Sequence, residues 1–461
     1  MNSLFFLELK LLIRERSAWI LIALFIASLA YGIWNGSEVA GRTHENVTKI
    51  RAEAEKYETR RTTLLQTNQF NIRQLYFSRF WAILPPAPLP FLATGQSDIS
   101  PGHEQVAVYK LSAPADSRSE LDNPSHLMAG RFDLAFVRVW LFPLFLLAFV
   151  YDLISGDRES GTLRIALSQG TRPFSWLLRR ALARALPILI LALIATGFAT
   201  SLGESDGASS RGVLTFLLVL VYGFFWIALS AAINSVASNA SSSATLLGAA
   251  WVALVLVAPT LLNMAVETLH PTPSRPELVS VSRQASRDAE EQVDKLVESF
   301  YQEHPELAPA SKRANAFAQR ITIQGEIGQA IEPIHRKFDE QLRLQQANVN
   351  RWRFISPAIA AHEALTDLAG TGYWRYRAFR DQAVAFRQEV HDFVAPKFHK
   401  MQSVTRDEAD AWPSFVFQEE SDAVWQQRVH LGILGIFALA LVLTVFAGWN
   451  LRAGRVGHVT S

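Results

Sequence analysis

YDLISGDRESGTLRIALSQGTRPFSWLLRR, residues 151–180, is a short basic stretch between two apolar runs. The runs at 132–154 and 181–202 each contain about 20 residues, which is the length that a helix needs to cross a lipid bilayer. Loops rich in Lys and Arg stay on the cytoplasmic side of a membrane. The stretch is therefore predicted to be a cytoplasmic loop that joins two transmembrane helices.

The composition is that of an integral membrane protein. Of the 461 residues 49% are hydrophobic, with 29 Phe and 12 Trp, and there is no Cys. Such a chain is too apolar for an ordinary soluble protein, and it has no disulfide framework. The formal net charge of only +2 gives no polybasic surface, so no nucleic-acid partner is expected.

Six apolar segments predict an all-α membrane protein with six transmembrane helices. Lys10, Arg14 and Arg16 before the first segment, and Arg452 and Arg455 after the last, place both termini in the cytoplasm. Two long polar insertions of mixed charge are expected outside, as a large helical extracytoplasmic domain. The predicted division is 1–16 (interfacial helix), 17–36, 37–131 (first outer insertion), 132–154, 155–180 (loop), 181–202, 213–236, 244–266, 267–428 (second outer insertion), 429–450 and 451–461 (tail).

Both ends of the first transmembrane segment have distinctive features. Ser28-Leu29-Ala30 could serve as a signal-peptide cleavage site, but the apolar run continues to Trp34, which favours a retained span. Before the span, an apolar helical face opposite Lys10 and Arg14 predicts a helix that lies in the membrane interface. That face is formed by Phe5, Leu9, Leu12 and Ile13. An amphipathic leader without a specific role is the alternative.

The two outer insertions contain helices with narrow apolar seams. The first seam runs through Val47, Ile50, Ala54, Tyr57 and Leu64, and the second through Phe317, Ile321, Ile331, Phe338 and Leu342. A helix of this kind cannot bury enough surface alone to offset the entropy lost on ordering it. The two insertions are therefore predicted to fold together as one domain. The proline-rich stretch from 80 to 124 is predicted to be extended or irregular.

The loop contains a short family signature. Asp157-Arg158-Glu159-Ser160-Gly161-Thr162-Leu163 resembles the E-R-x-x-G-T-L motif of permease subunits of type-2 ABC transporters, with Asp157 where the family usually has Glu. In that family the loop forms a coupling helix in a cleft of a cytoplasmic ATPase, and the N-terminal helix is an elbow beside it. The resemblance implies ATPase coupling by Asp157, Arg158, Glu159, Gly161, Thr162 and Leu163, and an elbow containing Phe5, Leu9, Leu12 and Ile13. A purely structural turn, with Gly161 and Thr162 as caps, is the alternative.

A second motif lies in the second insertion. Residues 365–371, LTDLAGT, are similar to the L-T-x-L-A-G-T segment of a subgroup of these permeases that has a large outer domain of unknown function. Ala369, Gly370 and Thr371 are the candidate structural motif. Gly370 is expected to end one helix and Thr371 to cap the next, which accounts for the small residues better than ligand contact does.

No catalytic or metal site is apparent in the sequence. There is no G-x-x-x-x-G-K-[ST] phosphate loop, so the chain is not expected to be an enzyme or to bind a cofactor. His362-Glu363 begins like a zinc motif, but Thr366 stands where the second His is needed. Arg138 is the one charge well inside a span. Snorkelling of its side chain to the outer interface is favoured over contact with a substrate on a translocation path.

The resemblance implies a permease subunit of the bacterial cytoplasmic (inner) membrane. Its expected partners are two copies of an ABC ATPase, which would carry the ATP and Mg, and a second permease subunit, identical or related. The complex would export an unknown substrate or transmit force to an extracytoplasmic protein. The alternative is a membrane-anchored scaffold or sensor with an outer helical interaction domain.

Overall fold

Six long apolar helices dominate the structure. The computed structural model describes residues 2–98, 100–111, 132–168, 172–203, 208–272, 275–292, 295, 298–299, 302 and 316–452. Span helices 1 to 6, each long and apolar enough to cross a membrane, are Arg16–Gln66, Leu134–Glu159, Pro173–Ser201, Ser210–Val236, Ala240–Leu269 and Asp422–Arg452. Each predicted apolar segment lies in one of them, so the chain is a largely helical, multi-pass membrane protein.

Shorter elements precede, connect and follow the span helices. The helices are α1 (Asn2–Arg14), α2 (Ile72–Tyr76), α3 (Ser155–Glu159, the end of span helix 2), α4 (Thr162–Ser168), α5 (Arg275–Glu291), α6 (Ala316–Trp352), α7 (Pro357–Ala369) and α8 (Tyr373–His399). Strands β1 (Arg79–Ile83) and β2 (His103–Ala107) pair antiparallel, with Phe80 opposite Val106. This pair lies in the stretch predicted to be extended or irregular, of which residues 112–131 fall outside the described ranges.

Small residues allow the span helices to pack closely. Span helix 3 buries Ala181, Ala185 and Ala192 in the bundle core. A Cβ atom on Gly223 of span helix 4 would lie 2.6 Å from the Leu189 side chain and 3.1 Å from the Phe142 ring, so a larger residue there would displace these side chains. Lipid tails are as apolar as leucine, so helix association in a bilayer depends on such close van der Waals contact. Glycine and alanine thus set the helix spacing in this bundle.

Two span helices contain π-helical segments, Val137–Leu141 and Val252–Val257. A π segment breaks the regular ladder of α-helical hydrogen bonds and leaves carbonyls in need of other donors. Side chains of neighbouring elements supply them. Tyr222 Oη donates to the Val139 carbonyl at 2.8 Å, and Trp251 Nε1 donates to the Trp140 carbonyl at 3.2 Å. These bonds connect the π segment of span helix 2 to span helices 4 and 5.

The two polar insertions share one hydrophobic core. We call the far half of span helix 1, α2, the two strands, α5, α6 and α8 the polar domain. Leu75, Phe80 and Val106 from the first insertion are buried in the same cluster as Phe386 and residues Phe379, Val390 and Phe398 of α8. The ring centroids of Phe80 and Phe386 are 6.3 Å apart. Both insertions therefore contribute buried side chains to this core.

Helix α6 contributes to two separate clusters. Ile321, near its start, joins the shared core of the polar domain. Ile327 and Ile331 instead form a small cluster of their own with Ala285 of α5 and Ile323. The predicted seam of α6 therefore faces two different neighbours, and Ile331 does not lie in the core that the two insertions share.

Helix α7 packs among the span helices, although the sequence pattern predicts that all of 267–428 belongs to the outer domain. Its Ala360, Ala361 and Leu368 belong to the bundle core. Just before it, Ser356 Oγ donates to the Leu254 carbonyl in the π segment of span helix 5 at 2.5 Å. A Cβ atom on Gly435 of span helix 6 would lie 2.1 Å from the Phe354 ring. Residues 353–356 therefore contact span helices 5 and 6, and the chain continues directly into α7.

Candidate coupling site and a buried arginine

The signature motif forms two short helices at a sharp corner. α3 ends at Glu159 and α4 begins at Thr162, with Ser160 and Gly161 between them. Gly161 has φ +74, a backbone conformation that side chains with a Cβ atom rarely adopt. The Ser160 and Thr162 hydroxyls share a hydrogen bond of 2.9 Å across the corner. The corner is therefore defined by its own sequence.

The inner side of this pair is bonded to span helix 3. The Asp157 carboxylate accepts hydrogen bonds from Trp176 Nε1 at 3.2 Å and from the Arg180 guanidinium. Its other oxygen accepts from the Thr162 hydroxyl at 3.3 Å. Asp157 therefore faces the bundle in this structure. Both oxygens of its carboxylate are occupied by contacts within the chain.

The next two residues of the motif contact the junction between span helices 4 and 5. Arg158 donates to the carbonyl of Ala237, just after span helix 4. Glu159 Oε2 accepts from the backbone N–H of Ala240, the first residue of span helix 5, at 3.2 Å. A carboxylate at a helix N-terminus is favoured by the helix dipole and by the free N–H groups there. One short helix is thus tied to three span helices.

The outer side of the pair is exposed. Leu163 is buried and anchors α4 against the rest of the chain. Ile165, by contrast, has 63% of its surface exposed, although it is a large apolar residue outside the apolar part of every span helix. Its exposed neighbours are Glu159, Ser160, Gly161, Thr162 and Ser168. We call this set, with Ile165, the loop face. The side chains of Arg164, Ala166 and Leu167 fall outside what the structure describes.

Helix α1 is held to span helix 3 by buried charges. Glu8 lies 2.8 Å from Arg180 Nε and 3.0 Å from Arg184 Nε, and Arg184 also pairs with Asp152. The N–H of Arg180 Nε does not point at the oxygen, so that contact is an ion pair and not a hydrogen bond. Arg180 also binds Asp157. α1 and the signature motif therefore share one arginine.

The predicted elbow residues all lie in α1 but differ in burial. Leu12 is buried, Phe5 and Leu9 are half-buried, and Ile13 is exposed. The buried face of α1 also contains Glu8, a residue that the apolar pattern of the sequence does not single out. The sequence did contain a signal for the burial of Glu8, because it is a lone acidic residue among apolar residues at helical spacing.

The corner at Ala369, Gly370 and Thr371 joins α7 to α8. Gly370 has φ +75 and ends α7, as predicted. Thr371 does not cap α8, because Gly372 occupies that position and Thr371 Oγ1 donates to the Ala93 carbonyl at 2.9 Å. The Ala369 carbonyl accepts from the Leu89 backbone N–H at 3.1 Å. The loop after β1 therefore holds the corner in place. This contact joins residues nearly 280 positions apart, so it could not be predicted from local sequence.

An ionic group fastens the end of α7 to span helix 6. Arg428 Nε donates to Asp367 at 3.0 Å, and Arg428 Nη2 donates to Glu420 at 2.6 Å. Burial raises the pKa of the Asp367 carboxyl, and the Arg428 guanidinium opposes this rise. Arg211 of span helix 4 donates to the Asp367 carbonyl at 2.9 Å. Two span helices and the polar domain therefore meet at this corner.

We expect Gly370→Ala to destabilise the protein by about 1–3 kcal/mol, because alanine at positive φ is strained. Its Cβ atom would also lie 2.4 Å from Pro88 Cδ. Gly328→Ala in α6 is the matched control, since a Cβ atom there meets nothing within 4 Å. That change should be neutral or slightly stabilising. Thermal unfolding of the two purified variants checks the prediction, and equal melting temperatures would contradict it.

Arg138 does not reach the outer interface, so the predicted snorkelling is wrong. Only 2% of its surface is exposed, and its Nη2 donates to Thr196 Oγ1 of span helix 3 at 2.9 Å. Its Nε and Nη1 have no hydrogen-bond partner among the residues that the structure describes. A charged residue is costly inside a bundle when its donors are not satisfied. Among the described residues, no cluster of His, Asp or Glu could hold a metal ion.

Comparison with known sequences identifies a single region of similarity. Residues 275–418 match a sequence family described as a domain of unknown function (DUF3526). The matched region begins with α5 and ends shortly before span helix 6, so it includes α7 and the Gly370 corner. No curated protein and no solved structure matches the chain.

Proposed function

We propose that the chain is the permease subunit of a type-2 ABC transporter. The observation that carries the proposal is the loop face, an exposed surface on a helical pair that is itself bonded to three span helices. In the proposed complex two ATPase subunits, which hold the ATP and Mg, each dock on the loop face of a permease. A second permease subunit, identical or related, completes the assembly.

The contacts of α3 explain how docking could move the membrane-spanning region. Asp157 is bonded to span helix 3, Arg158 to the end of span helix 4, and Glu159 to the start of span helix 5. A displacement of α4 by a docked ATPase would therefore be shared among three helices. The positive φ of Gly161 sets the angle between α3 and α4, and the hydrogen bond between the Ser160 and Thr162 hydroxyls spans the corner. Coupling in this proposal is mechanical and needs no catalytic residue in the chain.

The position of α1 fits the same arrangement. Glu8 of α1 and Asp157 of α3 contact the same side chain, Arg180. A protein that docks on the loop face would thus act on a site whose charges also hold α1. The excess of Lys and Arg in 155–180 favours a cytoplasmic location for both helices, with the polar domain on the other side of the inner membrane.

The polar domain allows two forms of this function. In one it covers a path along which a substrate is exported, and in the other it passes force to an extracytoplasmic partner. The second candidate class is a membrane-anchored scaffold or sensor that never binds an ATPase. The large polar domain, with a core that both insertions share, favours that candidate. The loop face speaks against it, because a scaffold needs no exposed apolar residue on the cytoplasmic loop.

The docking test uses Ile165→Asp and Gly161→Pro in the full-length protein. A carboxylate at an apolar contact, or loss of the corner at Gly161, should weaken docking by about tenfold or more. We expect ATPase activity of the co-purified ABC ATPase to lose its stimulation by the permease to the same extent. Membrane insertion and thermal stability should be unchanged for Ile165→Asp, since that side chain is exposed.

Val416→Asp is the matched control, because Val416 is 71% exposed and lies in the second polar insertion. It should leave ATPase stimulation intact. Normal stimulation in both loop variants would exclude the loop face as the docking site. If no ABC ATPase co-purifies with the wild-type chain, the permease proposal is wrong and the scaffold is favoured.

A further inference from the structure

Span helix 2 is interrupted just before the signature motif. Its regular helix ends at Val150, residues 151–154 form turns, and α3 begins at Ser155. We call 151–154 the break. Sharp breaks arise at proline, at Gly/Ser pairs, or where a neighbouring side chain inserts into the ladder of backbone hydrogen bonds. The break contains neither proline nor glycine, and the pair Ser155-Gly156 lies beyond it, inside α3. Its cause is therefore to be sought in the surrounding helices.

Asn234 of span helix 4 inserts at the break. It is fully buried, and its Oδ1 accepts from Ser155 Oγ at 3.0 Å and from the backbone N–H groups of Ile154 and Ser155 at 3.3 and 3.4 Å. Its Nδ2 donates to the Tyr151 carbonyl at 3.0 Å and to the Ser230 carbonyl at 2.9 Å. One amide side chain thus bonds backbone groups at both ends of the break, where an uninterrupted helix would bond them to itself.

Side chains from two further span helices bond carbonyls of the break. Ser243 Oγ of span helix 5 donates to the Tyr151 carbonyl at 2.6 Å, and Arg180 of span helix 3 donates to the Leu153 carbonyl at 3.0 Å. Inside a membrane protein an interrupted helix persists only where neighbours satisfy the freed backbone groups. Of these three side chains, Asn234 is the one that bonds residues at the start and at the end of the break.

We propose that Asn234 is a positioning residue, which sets the angle between span helix 2 and α3 and directs movement of the loop face into span helix 4. A displacement of α3 acts on span helix 4 through this amide, whereas the interrupted backbone passes less of it along span helix 2. The role in coupling rests on the proposed permease function. The angle does not, and it is measured on the purified chain without an ATPase.

The angle is tested by electron spin resonance, with spin labels on Ser168→Cys of α4 and Ser201→Cys at the far end of span helix 3. Both positions are exposed, and the native chain has no cysteine to interfere. Asn234→Leu keeps the approximate size of the side chain and removes its hydrogen bonds. A change of about 20° at the break, carried over residues 155–168 at 1.5 Å per residue, would displace the end of α4 by up to roughly 7 Å. We expect the distance between the labels to shift or broaden accordingly.

Thr215→Val is the matched control for the distance measurement. Thr215 is also fully buried in span helix 4, and its hydroxyl donates to the Arg211 carbonyl of the same helix at 2.8 Å. This change should leave the distance as in the wild type. If Asn234→Leu does not fold, Asn234→Ser takes its place with the same expectation, because its hydroxyl is too short to reach both ends of the break. An unchanged distance in the folded Asn234 variant would overturn the proposal.

The coupling role is tested with the co-purified ABC ATPase. Asn234→Leu should bind as much ATPase as the wild type, because the residues of the loop face are unaltered, but stimulation of ATP hydrolysis should fall at least about fivefold. Ile165→Asp should lose both binding and stimulation. A general loss of stability would lower the two together, so their separation distinguishes positioning from a structural role.

The possible failures of this experiment can be told apart. Wild-type stimulation by Asn234→Leu with ATPase bound would overturn the coupling role of Asn234 and leave the permease function standing. Absence of any bound ATPase on the wild-type chain would instead refute the permease function, and the coupling role with it. The distance between the spin labels would still decide whether Asn234 sets the angle of α3.

Discussion

Replacement of Phe386 by alanine is expected to open both polar insertions to protease at the same time. Phe386 is buried in α8, where its ring contacts Phe80 of β1 and, at 5.4 Å between centroids, Phe415. Truncation of a buried phenylalanine costs about 3–5 kcal/mol, through lost burial and the cavity left behind. Because the core is shared, we expect new cleavage in residues 40–111 as well as in 316–420. Limited proteolysis with mapping of the fragments measures this.

Val384→Ala is the matched control for this prediction. Val384 lies two residues earlier on α8 and is 52% exposed, so its truncation should change little. Cleavage confined to the second insertion in Phe386→Ala would mean that the first insertion folds on its own. An equivalent change at Ile331 would be a poor test, since that residue packs with Ala285 and not with the first insertion.

Replacement of Arg180 by methionine is expected to destabilise the protein by about 3–5 kcal/mol, as loss of one partner of a buried ion pair does. Arg180 lies between Glu8 and Asp157 and also donates to the Leu153 carbonyl at 3.0 Å. Its removal leaves the Glu8 carboxylate with one arginine in place of two. We therefore expect a lower melting temperature and easier proteolysis of α1.

Arg172→Met controls for the loss of one positive charge at the same end of span helix 3. Arg172 is exposed and precedes that helix, so its replacement should be close to neutral. The prediction is contradicted if Arg180→Met and Arg172→Met melt at the same temperature. It is also contradicted if proteolysis within residues 2–14 is unchanged in Arg180→Met.

The six spans could be predicted because hydropathy is a local property of about 20 consecutive residues. Their full extent could not. Span helix 1 is 51 residues long in total and extends far beyond the apolar region at 17–36. Contacts with the polar domain support its charged half. Hydropathy identifies the apolar region of a helix, but it does not predict where the helix ends.

Helix α7 could not be predicted because it is too short for the same reasoning. It has 13 residues, and a helix of that length does not register as a span. Its position depends on neighbours such as Gly432 of span helix 6, where a Cβ atom would lie 3.6 Å from the Ala360 carbonyl oxygen and 3.7 Å from Ala364 Cβ. Likewise, β1 and β2 were not predicted as strands. The alternating burial of β1 explains its stability, but its partner is 20 or more residues away along the chain.

The residues of the candidate sites were predictable only to a degree. A turn at Gly161 and Thr162 was the structural alternative that the motif at 157–163 offered, and it could be recognised from sequence because both residues act locally. The direction in which Asp157 points was not predictable, since it depends on Trp176 and Arg180. The same holds for Arg138, whose burial arises from packing among span helices 2, 3 and 4 and α7. Local chemistry predicts turns, and tertiary packing decides which charges meet.

The uninterrupted form of span helix 1 has a geometric consequence. Roughly 30 of its residues extend beyond the apolar region, and at 1.5 Å per residue they form a rod about 45 Å long. The near end of the helix is fixed in the bundle by Phe25, which stacks on Phe142, and the far end lies in the shared core at Leu65. The helix therefore connects the bundle directly to the shared core. A rigid rotation of about 10° about its membrane end would carry its tip about 8 Å sideways, and the shared core that holds the tip would have to move with it.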